Sequence, residues 1–184
     1  MQKSAIDWGV GQLYTWNVVT GCKRNCQYCY ARRIHERFYK TPFSDVVFHP
    51  ERLNDKMPKE ASIIFVGSMS DIQFWQRLHI MQILNVCALN PWHTFMFLSK
   101  YAGSYDGFSW PANTMQGLTI TGSESINTQH EKIINMYRYP RPFLSIEPLL
   151  GNLEIQINGF EKIIVGAMTG PGAIPPKPEW IQSV

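Results

Sequence analysis

Six short apolar runs recur along the chain, and each is rich in β-branched and aromatic residues. The runs cover residues 15–20, 62–66, 94–98, 117–121, 143–146 and 162–165. Most of them lack the polar alternation of a strand with one solvated face. They therefore predict strands that are buried on both faces of a parallel sheet.

Helical periodicity appears between several of these runs, over residues 30–39, 74–89 and 127–137. The first stretch places Ala31, Ile34 and Phe38 on one side and several cations on the other. Asp71 and Asn127 are the expected N-caps of the second and third helices. Strands that alternate with helices predict right-handed βα units, and hence an α/β fold with a parallel sheet or a partial barrel.

Nearly every strand candidate is followed at once by glycine or by a polar residue. Cys22 follows the first run through Gly21, Gly67 follows the second, and Glu147 follows the fifth. Sites in parallel α/β folds lie outside the carboxyl ends of the strands. We therefore expect one active-site rim assembled from six loops, although polar, glycine-rich loops are also ordinary features of such folds.

The composition, with 45% hydrophobic and 17% charged residues, is that of a globular protein. A net charge of +3 permits an anionic partner without demanding one. We find neither a membrane-spanning apolar run nor the apolar core of a signal peptide, so we expect no membrane partner and a cytoplasmic location. In that reducing compartment, clustered cysteines are more often metal ligands or catalysts than disulfides.

Three cysteines, Cys22, Cys26 and Cys29, are spaced C-x3-C-x2-C between a strand and a helix. Thiolates this close together need a cation, and they select zinc, copper(I) or iron–sulfur clusters. Structural zinc sites and simple ferredoxin clusters normally use four protein ligands. The fourth cysteine, Cys87, lies in an apolar helical pattern typical of a core thiol. A Cys3His zinc site that includes His35 is the alternative.

The same spacing, with Tyr28 directly before Cys29, resembles the signature of the radical S-adenosylmethionine (SAM) superfamily. The resemblance implies that Cys22, Cys26 and Cys29 hold a [4Fe-4S] cluster whose open iron binds the amino and carboxylate groups of SAM. It implies reductive cleavage of SAM to a 5′-deoxyadenosyl radical, which abstracts hydrogen from a substrate. It also implies an electron donor such as a flavodoxin or ferredoxin.

The resemblance extends to two further loops. It implies that backbone groups of Gly67, Ser68 and Met69, in the segment VGSMSD, bind the amino group of SAM. It further implies that Ser123 and Glu124 bind the ribose hydroxyls, a task that suits a carboxylate accepting two hydroxyl bonds.

Three other residues are candidates by their positions. Glu147 lies between an apolar strand and a proline, so we expect a partly desolvated carboxylate that binds a cation or a hydroxyl, or transfers a proton. Lys100 could pair with a carboxylate of SAM or substrate, or be a solvated loop lysine. Gly166 begins a glycine-rich turn whose backbone amides could meet adenine or an anion, or form only a tight turn.

A closer resemblance spans most of the chain, through TWNVVTGC, FVGSMSD, FMFLSK, FLSIEPLLG and IIVGAMTGPGA. These motifs resemble a radical SAM group of bacteriophages and mobile elements that is catalogued as a domain of unknown function. It implies an α/β fold, a partial (βα)6 barrel of parallel strands, in a single domain over residues 1–184. Members usually carry an acidic residue where this chain has Met168, and continue past Val184, so we expect a C-terminus that is either truncated or compact.

The substrate is open at this point. The cations Arg32, Arg33, Arg37 and Lys40, with the basic and aromatic segment 137–141, could track phosphates or be an ordinary solvated surface. The phage-like resemblance suggests a nucleotide or a nucleic-acid base as substrate. Two alternatives are a non-catalytic zinc- or iron–sulfur-binding module that contacts nucleic acid, and a relative that binds SAM but has lost turnover.

Overall fold

In the computed structural model, which describes residues 1–6, 8 and 12–184, the chain divides into two units. Unit one comprises Met1–Phe97 and Asp106–Met115, and unit two comprises Leu98–Tyr105 and Gln116–Val184. Both units contain parallel strands and helices, so the predicted α/β class is confirmed. The prediction of a single domain stays a prediction.

Unit one contains a parallel sheet and a short antiparallel ribbon. Its strands are β1 (Gln2–Lys3), β2 (Leu13–Trp16), β3 (Val19–Thr20), β4 (Val47–Phe48), β5 (Ile63–Val66) and most of β6 (Thr94–Ser99). β2, β5 and β6 are parallel neighbours, β1 pairs antiparallel with β2, and β3 pairs antiparallel with β4. Water is excluded from the middle of the sheet, because the side chains there are fully buried: Ile64, Phe95, Met96 and Phe97.

The helices of unit one are α1 (Tyr30–Phe38) and α2 (Arg77–Ala88). α2 turns Ile80, Ile83, Leu84 and Cys87 inward, at the i, i+3, i+4, i+7 spacing of a helix with one apolar stripe. Two short 3-10 helices, Pro50–Asn54 and Ile72–Phe74, complete the unit.

Unit two is built on most of β7 (Thr114–Thr119), on β8 (Pro142–Ile146) and on β9 (Lys162–Val165), all parallel. Its helices are α3 (Ile126–Met136) and α4 (Pro178–Gln182), with a 3-10 turn at Ala102–Tyr105. Every residue of β7 and β8 is buried. The apolar run at residues 143–146 predicts this for β8, whereas β7 also buries the polar side chains of Thr114 and Gln116. In β9 only Ile164 is buried.

Four predicted boundaries are wrong for local reasons. The strand predicted over residues 117–121 is Thr114–Thr119 in the structure, because polar residues before the apolar run are buried in it. The first strand breaks after Trp16, because Val19–Thr20 turns away to pair with β4. Asp71 caps the 3-10 helix at Ile72–Phe74, and extended backbone at Trp75 and Gln76 delays the start of α2 to Arg77. The N-cap of α3 is Ser125 rather than Asn127, because the Ser125 hydroxyl accepts from the Thr128 N–H.

The predicted inner face of α1 is also wrong. Ala31 and His35 are buried, whereas Ile34 and Phe38 are 41% and 72% exposed. The chain that follows the helix folds back onto it, so that the His35 ring stacks on Tyr39, with ring centroids 4.8 Å apart. None of the helices in the described part of the chain combines the length and the apolar composition needed to cross a membrane.

Gly122→Ala is expected to lower the free energy of unfolding by about 3 kcal/mol through backbone strain and overpacking. The residue has φ +75°, and an added Cβ would lie 2.2 Å from the carbonyl oxygen of Gly151. Gly172→Ala is the matched control, since Gly172 has φ +74° but open space around its Cβ, and it should lose about 1 kcal/mol. Chemical denaturation measures both losses. Equal losses would contradict the close backbone contact at Gly122.

Candidate functional site

Two loops of unit one carry the predicted cofactor residues. The cysteine loop, residues 21–29, follows the β3 strand, and the glycine loop, residues 67–71, follows β5. Gly21 donates its N–H to the carbonyl of Met69 at 3.0 Å, and the Ser70 hydroxyl donates to the carbonyl of Gly21 at 2.5 Å. The two loops are therefore joined directly by one backbone–backbone hydrogen bond and one bond from a side-chain hydroxyl, although they are far apart in the sequence.

Side chains reinforce this contact. The Asn17 Oδ1 accepts from the Ser68 hydroxyl at 3.0 Å and from the Met69 N–H at 3.2 Å. The Tyr30 hydroxyl, in the first turn of α1, donates to the carbonyl of Ser68 at 2.7 Å. The structure therefore brings Gly67, Ser68 and Met69 next to the segment that carries the cysteines.

Gly21 makes the sharp entry into the cysteine loop possible. It has φ +83°, and a Cβ there would lie 1.9 Å from the carbonyl oxygen of Asp45. The next residue, Cys22, donates its N–H to the carbonyl of Phe43 at 2.7 Å. The segment around Phe43 thus packs against the cysteine loop, and only glycine fits at the start of that loop.

All three clustered cysteines are half-buried. The Cys22 Sγ accepts from the Arg24 N–H, and the Cys29 Sγ accepts from the Arg32 N–H, both at 3.4 Å. Cys29 is the N-cap of α1, so its sulfur lies at the partially positive end of the helix. Backbone N–H groups directed at sulfur are a common feature of cysteines that hold iron–sulfur clusters.

Burial raises the pKa of the Cys22 thiol to about 11. The Arg24 N–H lowers this pKa, whereas the charges of Asp71, Cys29 and Cys26 raise it further. The cysteines therefore oppose one another's ionisation, and thiolates at these positions need a bound cation to neutralise them.

Cys87 and His35, the other two residues considered as ligands in the sequence analysis, lie away from the cysteine loop. Cys87 is fully buried in α2. The His35 Nε2 lies 2.8 Å from the carbonyl oxygen of Thr41, on the inner face of α1, which disfavours the Cys3His zinc alternative. Across residues 1–6, 8 and 12–184, no three His, Cys, Asp or Glu side chains are grouped closely enough to hold a metal ion.

Two arginines fix the shape of the cysteine loop. The Arg24 Nε lies 3.5 Å from the Asp71 Oδ2, and its guanidinium also contacts Gln73. Arg32 donates to the carbonyl of Arg24 at 3.1 Å and contacts the side chain of Asn25. Asp71 is therefore both a cap, accepting from the Gln73 N–H, and the anionic partner of the cysteine loop.

In unit two, the carboxyl ends of the three parallel strands meet at one edge. Leu150 donates its N–H to the carbonyl of Thr121 at 2.7 Å, and Leu149 donates to the carbonyl of Gly166 at 2.9 Å. The loops that follow β7, β8 and β9 are thus joined by their backbones, and they carry four of the predicted site residues.

Glu124 and Ser123 both form hydrogen bonds with Thr121, and Glu124 also bonds to Lys132. The Glu124 Oε2 accepts from the N–H and the hydroxyl of Thr121, both at 3.0 Å, and Oε1 accepts from Lys132 at 3.0 Å. The Ser123 hydroxyl lies 2.6 Å from that of Thr121. Burial alone would raise the pKa of Glu124, but the bonds from Thr121 and Lys132 outweigh it and lower that pKa.

Glu147 lies against Gly166. An added Cβ on Gly166 would lie 2.4 Å from the Glu147 Oε1, so the glycine leaves room for the carboxylate. The Ser145 hydroxyl donates to the Glu147 Oε2 at 3.2 Å. The Glu147–Pro148 peptide bond is cis. The structure therefore brings two of the predicted site residues into contact.

The remaining predicted residues are Lys100, just after β6, and Tyr28 in the cysteine loop, and both are half-buried. Met168, where family members usually carry an acidic residue, is half-buried as well. Asn17 and Tyr30 are contributors that sequence reasoning missed. Asn17 offered a signal, because it is a polar residue inside an apolar run. The loops are brought together within each unit, and the rim of six loops stays a prediction.

Asn17→Ala is expected to speed amide hydrogen exchange at Met69 by about fivefold, because the Met69 N–H loses an acceptor worth about 1 kcal/mol. Exchange measured by mass spectrometry or NMR tests this. The matched control is Asn127→Ala, at an exposed position on α3. Unchanged exchange at Met69 would show that Asn17 does not hold the glycine loop.

Glu124→Gln is expected to lower the free energy of unfolding at pH 7 by about 1 kcal/mol. The folded-state pKa of Glu124 is below its usual 4.5, so this stabilisation is present above pH 4.5 and is lost as the pH falls through the folded-state pKa. The stability difference between wild type and variant should therefore shrink in acid. Glu131→Gln, an exposed neighbour, is the control; a pH-independent difference would refute the role of the Glu124 charge.

One solved structure with a similar fold is that of spore photoproduct lyase, in a form that carries a cysteine-to-serine mutation. The two chains are 14% identical, with a TM-score of 0.50, and the match covers 80% of this chain and 48% of that chain. The chain thus spans about half the length of this solved relative, and the similarity shows the fold alone. No curated protein was found to match the chain.

The model of the family DUF5131, described as a protein of unknown function, matches residues 3–184. This match takes in the cysteine loop, the glycine loop and all three parallel strands of unit two. The chain therefore belongs to the DUF5131 family.

Proposed function

We propose that this chain is a radical SAM enzyme. Cys22, Cys26 and Cys29 would hold a [4Fe-4S] cluster, and the glycine loop would bind SAM. The observation that carries the proposal is the direct contact in unit one between the loop of three half-buried thiols and the glycine loop.

The three thiols are not grouped around a single point, as one metal ion would need, but a four-iron cluster would take each thiolate on a different iron. The three thiols lie on one loop, two of their sulfurs accept backbone N–H bonds, and their mutual charge repulsion requires a cation. Cys87 is buried in α2, which favours a set of three ligands over four. Such a set leaves one iron open to a ligand that is not a cysteine.

When bound, the cluster would supply one electron to the sulfonium of SAM, whose C–S bond breaks to give methionine and a 5′-deoxyadenosyl radical that takes a hydrogen atom from the substrate. The chain's own residues would position SAM. An ammonium group donates hydrogen bonds, so carbonyl oxygens of Gly67 and Ser68 suit the amino group of SAM. Each accepts one hydrogen bond in the structure, from Ser70 and Tyr30 respectively, and each carbonyl has a second lone pair.

The residues of unit two are proposed to act on the rest of the cofactor and on the substrate. The Glu124 carboxylate has four lone-pair sites and uses three of them, two for Thr121 and one for Lys132 of α3, so it and Ser123 could still accept a ribose hydroxyl. Glu147, beside Gly166, is proposed to bind a hydroxyl or to transfer a proton. Lys100 is proposed to pair with a carboxylate.

The similar fold of spore photoproduct lyase supports an enzymatic function, since that protein's name states that it is a lyase. We also propose that the parallel strands form a partial (βα)6 barrel, with SAM at their carboxyl ends. The substrate is proposed to be a nucleotide or a nucleic-acid base.

Anaerobic reconstitution with iron and sulfide tests the proposal. We expect about four irons per chain and formation of 5′-deoxyadenosine when dithionite and SAM are added. Cys26→Ala should lose iron and activity, because it removes one of the three ligands.

Cys87→Ala is the matched control and should keep both iron and activity, because this thiol is buried in α2. Stoichiometric zinc in place of iron, or an iron-loaded protein that leaves SAM intact under dithionite, would refute the proposed function.

A further inference from the structure

Positive charge is concentrated in the cysteine loop and in α1. Residues 22–40 contain six Lys or Arg and one Glu, a net charge of +5, whereas the whole chain carries +3. The rest of the chain is therefore slightly acidic. The positive field of this protein is centred on the segment that carries the three cysteines.

An apolar stripe runs along the outside of the same helix. Tyr30, Ile34 and Phe38 recur every four residues and are 41%, 41% and 72% exposed. Residues spaced by four lie on one face of a helix. Burying a Phe side chain stabilises by about 1.5–3 kcal/mol, so a largely exposed Phe38 beside Ile34 is typical of a surface that a partner covers.

The cations Arg33, Arg37 and Lys40 flank this stripe, and the Arg37 guanidinium lies 5.7 Å from the centre of the Phe38 ring. We call these six residues the α1 face: Tyr30, Arg33, Ile34, Arg37, Phe38 and Lys40. An apolar centre with a charged rim is the usual organisation of a protein–protein interface. Its cationic rim is complementary to an acidic partner.

The α1 face begins beside the proposed cluster. Cys29 is the N-cap of α1, and its sulfur accepts the N–H of Arg32. An α-helix rises about 1.5 Å per residue, so Ile34 and Phe38 lie about 7 and 13 Å along the axis from Cys29. A protein bound on this face would be within a short distance of the thiols.

We propose that the α1 face docks an acidic one-electron donor protein. This inference rests on the proposed function, since reductive cleavage of SAM requires one electron per turnover. The donor would lose one electron and the cluster would gain it, with no bond or proton exchanged at the surface.

A protein fits this face better than a nucleic acid does. Ile34 at the centre of the stripe is aliphatic and offers no ring on which a base could stack, whereas single-stranded nucleic acids bind to rows of aromatic rings. The other basic and aromatic segment, residues 137–141, packs within unit two, because Tyr139 is buried and Arg141 forms an ion pair with Glu161. The other cation of this segment, Arg138, is exposed, and its guanidinium lies 5.2 Å from the centre of the Tyr139 ring. A single exposed cation is not a row of cations along a strand.

Two variants of the reconstituted full chain test the proposal, Arg37→Glu and Phe38→Ser, both at exposed positions outside the cofactor loops. The controls are Lys59→Glu, also exposed, and Leu89→Ser, which lies at the C-cap of α2 and is 68% exposed. Binding of flavodoxin, an acidic electron carrier, is measured by titration at several salt concentrations. Formation of 5′-deoxyadenosine is measured with reduced flavodoxin and, separately, with dithionite.

We expect Arg37→Glu and Phe38→Ser to weaken flavodoxin binding and to slow the flavodoxin-driven reaction by about tenfold or more, and binding to the wild type to weaken as salt rises. The dithionite-driven reaction should stay unchanged in all variants, because a small reductant needs no docking surface. The two controls should behave like the wild type.

Flavodoxin binding that is absent, or that is equally affected by Lys59→Glu, would overturn the proposal. The proposal would also be overturned if the two variants lost binding of a single-stranded DNA oligonucleotide but kept flavodoxin binding. The α1 face would then bind nucleic acid. Failure of the wild type to cleave SAM with dithionite would refute the proposed function instead. The flavodoxin titration would still decide whether the α1 face docks an acidic protein.

Discussion

The hydrogen bonds that join Gly21 of the cysteine loop to the glycine loop are the contact on which the candidate site depends. Gly21 bonds to both Met69 and Ser70. Its missing side chain lets the loop pack against the segment behind it, because any Cβ there would collide with the carbonyl of Asp45. Asn17 then fixes the glycine loop from the strand side. The parallel strands β2 and β5 supply the alignment, since parallel neighbours end at the same edge of a sheet.

The charges of the cysteine loop are a second constraint on the candidate site. Three thiols on one short loop oppose one another's ionisation, and burial adds to the pKa of Cys22. The surrounding segment is strongly cationic, yet its arginines are not equivalent. Arg24 and Arg32 hold the loop through Asp71 and through the loop carbonyls, whereas Arg37 is exposed on α1. Residues 22–40 thus have two roles. Some of their arginines hold the cysteine loop in place, and others carry positive charge at the surface.

The sequence predicts most of the strands closely and several details of the site poorly. Uninterrupted apolar runs locate β5, β6, β8 and β9 to within one residue, because a strand buried on both faces needs such a run. The β3–β4 ribbon was missed, since each of its strands has two residues and they are far apart in sequence. The outer position of Ile34 on α1 follows from the return of Tyr39 onto His35, a tertiary contact that helical periodicity does not contain.

The most direct test of the central claim is electron paramagnetic resonance of the reconstituted, dithionite-reduced protein, recorded with and without SAM. Three cysteine ligands and one open iron predict a reduced-cluster signal that changes when SAM is added, with coupling to oxygen-17 placed in the SAM carboxylate. A cluster signal that is indifferent to SAM, or a protein that holds no paramagnetic cluster after reconstitution, would contradict the account.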